Sequence, residues 1–215
     1  MWNEQIIMML LEGIKDTLYM TLTSTLIGYV IGLPMGILLT VTDKDGIHPN
    51  AAVYKVLDVI ANLIRSVPFL ILLIVLIPFT RFLIGRSYGP TATIVPLVIA
   101  AAPYIARMVE SSLKEVDAGV IEAARSMGAS NFTIVTKVML VEARTSLIVG
   151  ATISLGTILG YSAMAGAVGG GGIGNLAIMY GYNRYQTGVL LVTVVALVII
   201  VQVGQWIGDK IALKL

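Results

Sequence analysis

The sequence has no cysteine and a single histidine among 215 residues. Without cysteine, disulfides, thiolate nucleophiles and Cys-ligated metals are excluded. His48 stands between Ile47 and Pro49 in a polar stretch and reads as a loop residue, since one imidazole cannot build a histidine-rich metal site. Charge is equally scarce. Charged residues make up 12% of the chain, against roughly 25% in a soluble domain. The 14 basic and 12 acidic side chains leave a net +2, too balanced to point to an electrostatic partner such as nucleic acid. Apolar surface is what the chain has in quantity: hydrophobic types reach 57% and mean hydropathy is +0.93. These proportions exclude a soluble globular enzyme, a disordered chain and a nucleic-acid-binding module. They place the protein in a bilayer, with membrane lipid as its surroundings.

A spanning helix needs about 20 apolar residues. Uncharged runs cover 17–42, 66–80 (extended back by its apolar pattern to about 53), 87–106, 145–183 and 185–208. The fourth run is too long for one span and contains Gly169–Gly172, which a helix interior disfavours. The expectation is therefore an all-α membrane protein with five spans, at about 17–42, 53–80, 88–113, 145–167 and 186–209. Residues 1–16 form an outer segment, 17–208 the transmembrane domain and 209–215 a cytoplasmic tail. Met1–Gln5 lacks the positive n-region of a cleaved signal peptide, so the first span is expected to be retained. With the N-terminus outside and the C-terminus inside, ten Lys and Arg fall on the inner side and four on the outer, as the positive-inside rule favours. Small residues four apart (Gly28, Gly32, Gly36; Gly156, Gly160; Gly204, Gly208) allow close helix packing. Pro34, Pro68, Pro78, Pro96 and Pro103 are expected to kink or break helices.

Several chemistries are missing. No Gly-Lys pair exists, so a Walker A phosphate loop cannot form. Gly169, Gly171 and Gly174 satisfy G-x-G-x-x-G, but they follow a membrane helix rather than a strand. The better reading is a flexible outer loop or an unwound helix end. No nucleophile–base pair, aspartate pair or metal-ligand set can be assembled for an intramembrane enzyme. Spans one, four and five carry no mid-membrane ionisable group of the kind proton-coupled carriers use. Energy for uphill transport would therefore have to enter from another subunit.

The charges that remain are patterned. Lys55, Asp58, Asn62 and Arg65 share one helical face, and Arg107, Glu110 and Lys114 repeat the spacing at the inner end of span three. Either these helices simply protrude into the cytoplasm, or the stripes contact a partner or line an inner vestibule. Residues 116–142 read as two short helices, with Gly128 as a C′ residue, Ser130 as an N-cap, and Phe132, Val135, Val138 and Met139 on one face. Such an elbow packs either on its own bundle or into a partner's groove.

The elbow is where a resemblance enters. Glu122-Ala123-Ala124, then Gly128, then Ile134 and Leu140 resembles the EAA loop of bacterial ABC importer permeases, with Ile134 early for that family's isoleucine, Val138 in its place, and Val141 where the family usually has proline. Arg65-Ser66-Val67-Pro68-Phe69, Ile94-Val95-Pro96-Leu97, Ala101-Ala102-Pro103-Tyr104 through Glu110, and Gly160-Tyr161-Ser162-Ala163-Met164 resemble the permeases of methionine-uptake ABC transporters over nearly the whole chain. The resemblance implies a type I importer permease in the bacterial cytoplasmic membrane, with two copies forming a channel for alternating access. It implies two ATP-binding cassette subunits that hold ATP and Mg, no cofactor or metal on this chain, and a substrate-binding lipoprotein docking outside. It makes Glu122, Ala123, Ala124, Arg125 and Gly128 the coupling element, and places Tyr161, Ser162 and Met164 near the pathway. Span four fits such a pathway, being uncharged yet carrying Thr152, Ser154, Thr157, Tyr161 and Ser162. Met164 is a polarisable side chain suited to a thioether. A permease for another amino acid, or a passive channel or small secondary carrier, remains the alternative.

Overall fold

The computed structural model describes residues 4–214; the start of the expected outer segment 1–16 and the final residue of the tail lie outside the described residues. Among the described residues the structure is helical, without strands. Helix α1, Glu4–Thr42, is 39 residues long, or roughly 58 Å at 1.5 Å per residue. It starts well before the expected 17 because Glu12, Lys15 and Asp16 lower hydropathy without opposing helix formation. One stripe of α1 is buried: Gly13, Thr17, Met20, Thr21, Ser24, Gly28, Gly32, Gly36 and Leu39. From Gly28 to Gly36 the stripe lies against α5, Pro90–Lys114, whose apolar stretch is the most buried of the long helices. At Gly32 a β-carbon would sit 2.6 Å from the Ala102 carbonyl oxygen and 2.9 Å from Ile105, so only glycine permits this separation.

The second expected span, 53–80, is not one helix. Helix α2, Ala51–Ser66, is capped by Asn50, whose side chain accepts from the Val53 amide at 3.1 Å. It turns through 102° into α3, Phe69–Val75, and α4, Ile77–Ile84, follows. Pro68 is the cause. Its ring pushes Val67 into the extended region (φ −86°, ψ 125°), and it offers no amide to continue the helix. Pro96 and Pro103, by contrast, lie inside α5 without ending it.

The elbow has the two expected parts. Helix α6, Ala118–Ser126, is capped by Asp117, which accepts from the Gly119 amide at 2.7 Å. Gly128 follows it at φ +81°, a left-handed position that favours glycine. Ser130 then caps α7, Asn131–Thr133, by accepting from the Thr133 amide at 3.2 Å. A π-helical turn, Ile134–Met139, leads into α8, Leu140–Glu142. The wider turn changes the buried face: Ile134 and Met139 are buried, while Phe132, expected to share that face, is 77% exposed.

Helix α9, Arg144–Ala165, and helix α11, Thr187–Ala212, complete the spans near the expected positions. Between them the glycine segment is packed, which corrects one of the two expectations, a flexible loop, and agrees with the other, an unwound helix end. A 3-10 turn, Gly166–Val168, leads to α10, Gly172–Leu176, and then to a second π turn, Ala177–Tyr182. The Ile173 amide donates to Thr17 Oγ1 at 2.9 Å, and the Gly89 amide to the Gly169 carbonyl at 2.9 Å. The glycines let this backbone close on α1 and on the start of α5 rather than swing free. Of the most apolar stretch of each helix, 61% is buried in α5 but 11% in α11, which leaves α11 facing outward from the chain.

Candidate functional site

The charged stripes meet at the elbow end of the bundle. Arg107 on α5 donates to Glu110 one turn along at 2.6 Å, and reaches across to Asp58 and, at 3.0 Å, to Asn62 on α2. Asn62 in turn donates to Asp58 at 3.1 Å. Lys114 donates to Glu110 at 2.8 Å and pairs at 2.6 Å with Asp43, the residue after α1. Alternating charges thus run Asp43, Lys114, Glu110, Arg107, Asp58 and bind α1, α5 and α2 together. The helical three- and four-residue spacings bring the pairs into reach. The Glu110 side chain is 7% exposed, and its two cations compensate the burial of its charge. The Lys114 ammonium holds the Asp43 carboxyl below the ordinary carboxylate value. Lys55 and Arg65, expected on the same stripe, make no ion pair among the described residues.

Next to this network the elbow covers a cleft of about 610 Å³ whose lining includes Asp43, Lys44, Lys114, Glu122 and Arg125. Arg125 faces its own chain, where its guanidinium donates to the Ile47 carbonyl oxygen at 2.9 Å and ties α6 to the α1–α2 turn. Ala124 is buried, whereas Glu122 and Ala123 are exposed. Met127 is 82% and Phe132 77% exposed, so among the described residues the elbow presents these two large apolar side chains together with the exposed Glu122.

The span-four residues separate. Ser162 is buried, accepting from Thr21 Oγ1 at 3.4 Å and donating to the Leu159 carbonyl at 2.8 Å; it belongs to the α1–α9 seam rather than to an open surface. Tyr161 is half-buried and stacks on Phe69 of α3, ring centroids 4.6 Å apart and planes at 7°. Met164 is 53% exposed. A β-carbon at Gly156 or Gly160 would meet nothing within 4 Å, so the α9 face through Gly156, Gly160 and Met164 is open in the single chain. Sequence reasoning missed the cross-helix pairs Arg107–Asp58 and Lys114–Asp43 and the Phe69–Tyr161 stack. The paired stripes were the only hint of the first two. The stack depends on the Pro68 turn, for which proline alone is the signal.

Comparison with known proteins places this architecture. Residues 16–214 match the family described as binding-protein-dependent transport system inner membrane component. The probable D-methionine transport system permease protein MetI of Vibrio cholerae is 45% identical over 94% of this chain and 90% of that protein. The corresponding protein of Pasteurella multocida is 50% identical over 92% and 91%, and the D-methionine transport system permease protein MetI of Escherichia coli K12 is 51% identical over 76% of each. Among solved structures, a chain of the MetNI methionine ABC transporter in an inward-facing conformation superposes with a TM-score of 0.97 at 48% identity over 99% of both chains. A chain of an amino acid ABC transporter crystallised with histidines shares the fold, with a TM-score of 0.76 at 20% identity over 98% of this chain and 94% of that one. The helix order, the elbow and these matches identify a multi-pass membrane protein with the type I ABC importer permease fold, and the chain belongs to the family of inner membrane components of binding-protein-dependent transport systems.

Proposed function

We propose that this chain is the non-catalytic permease subunit of an ATP-driven importer that moves methionine, L and D, into the cytoplasm. The observation that carries the proposal is the elbow: a rigidly capped pair of short helices, tied to the bundle by Arg125 and presenting Glu122, Met127 and Phe132 outward. In this reading the elbow end is cytoplasmic, the N-terminus is outside, and a partner ATPase that holds ATP and Mg receives the elbow in a cleft. Closure of two ATPases on ATP moves the elbows, and the charge network passes that motion to α1, α2 and α5. A second copy of the chain covers the open α9 face, with Tyr161 and Met164 beside the shared pathway. A lipoprotein delivers substrate from outside. The names of the relatives support methionine as the cargo.

The test is to purify the chain with its cognate ATPase and binding protein and measure methionine uptake into liposomes. Uptake that requires ATP and both partners is expected. Uptake by the chain alone would make it a passive channel, and ATP-driven uptake of another amino acid in place of methionine would correct the cargo.

A further inference from the structure

Arg65 stands outside the coupling network. It occupies the last turn of α2, one residue before the Val67–Pro68 break, and makes no ion pair among the described residues. It lines a cavity of about 160 Å³ between α2, α3, α5 and α9, to which no acidic side chain contributes. One wall is the stacked Phe69–Tyr161 pair, extended by Val67 and Leu72. Tyr104 brings a hydroxyl, which lies 3.3 Å from Thr157 Oγ1. The cavity therefore joins one guanidinium and tyrosine hydroxyls to an apolar, aromatic surface. Arg65 is exposed, so its guanidinium is free to meet an incoming anion at the edge of the cavity, and its planar fork matches a carboxylate. An apolar cavity of roughly 150 Å³ admits a benzene-sized molecule, so an unbranched thioether side chain fits the space.

We infer that this cavity is a transient subsite for the transported amino acid. Arg65 holds the α-carboxylate, and the Phe69–Tyr161 wall takes the side chain. The inference rests on the proposed role in amino-acid import and adds to it the chemistry that recognises the cargo inside the membrane. Four separate elements build the cavity, so a motion of α3 against α9, which the charge network does not tie, dissolves it and releases the ligand. A pathway needs such binding, favourable enough to admit the solute and weak enough to let it leave.

The experiment uses the full transporter with Arg65→Gln and Arg65→Lys. Arg65→Gln is expected to lower ATP-driven methionine uptake at least ten-fold, with the melting midpoint and substrate-free ATP hydrolysis unchanged; Arg65→Lys retains part of the uptake. In equilibrium binding of radiolabelled methionine to the transporter without its binding protein, L-methioninol, which lacks the carboxylate, competes at least ten-fold less well than unlabelled methionine. That preference is lost in Arg65→Gln. Wild-type uptake in Arg65→Gln, or equal competition by methioninol in the unmutated protein, overturns the inference. So does a loss that disappears in purely zwitterionic lipid, which would assign Arg65 to an anionic lipid phosphate. If Arg65→Gln melts early, the Arg65→Lys uptake and the methioninol competition decide. Failure of the unmutated transporter to import methionine would remove the proposed function itself, whereas normal import with an unaffected Arg65→Gln removes only the subsite.

Discussion

Glu110 is a carboxylate with almost no access to water, compensated by Arg107 on one side and Lys114 on the other. Removing one partner of a buried pair costs about 3–5 kcal/mol, because the other charge stays behind uncompensated. Arg107→Ala is therefore expected to lower the melting midpoint of the detergent-purified protein sharply, while Lys55→Ala, at an exposed residue without an ion pair, leaves it unchanged. Equal shifts would show that the network carries no stability. Glu122 makes a different prediction, since it is exposed. Glu122→Ala is expected to leave assembly and ATP hydrolysis intact and to cut uptake at least ten-fold, read as transport and hydrolysis on the same preparation. Near-normal uptake would remove the coupling role. Spacing made Arg107, Glu110 and Lys114 readable as one stripe. Their partners Asp58 and Asp43 come from other helices, and spacing within one helix carries no information about which helix lies opposite.

At the scale of elements, the α1–α5 seam depends on the missing side chains of Gly28, Gly32 and Gly36, and the α9 face at Gly160 does not. Gly32→Val inserts three carbons where one already clashes, and such overpacking costs typically 1–3 kcal/mol or more. The melting midpoint of the monomeric chain is expected to fall, while Gly160→Ala in the same monomer stays at the wild-type value. The reverse order would mean that the helices pair differently. The tie between the α1–α2 turn and α5 also has a pH signature. The Asp43 carboxyl is depressed in the folded protein, so its contribution is complete above the ordinary carboxylate value near 3.9. It is lost as pH falls through the lower folded value. The stability difference between wild type and Asp43→Asn is therefore expected to hold from neutral pH down to about 4 and to shrink below it. A difference that grows on acidification would contradict the pairing. Helices α5, α9 and α11 were legible because charges bracket each apolar run, and Gly128 and Ser130 were legible from capping chemistry. The break at Pro68 was legible as one of five expected proline kinks, but its 102° angle was not, since proline alone does not say whether a helix ends, as at Pro68, or continues, as through Pro96 and Pro103. The glycine segment hid its order for a related reason: the backbone freedom that suggests a mobile loop is also what lets it pack tightly against α1.

At the scale of the whole molecule, the single chain is incomplete in a patterned way. Among the described residues α11 buries little, nothing lies against the α9 face at Gly156 and Gly160, and the elbow leaves Met127 and Phe132 exposed. Each bare surface answers to a component of the proposed assembly: lipid, a second copy and an ATPase. The central claim is that the elbow converts a partner's ATP hydrolysis into methionine movement. The most direct measurement is the amount of methionine imported per ATP hydrolysed by the reconstituted transporter, for wild type and for Glu122→Ala. The account predicts a fixed ratio for wild type that falls toward zero in Glu122→Ala while hydrolysis continues. An unchanged ratio in the variant, or methionine entry that persists when the ATPase is left out, would contradict it.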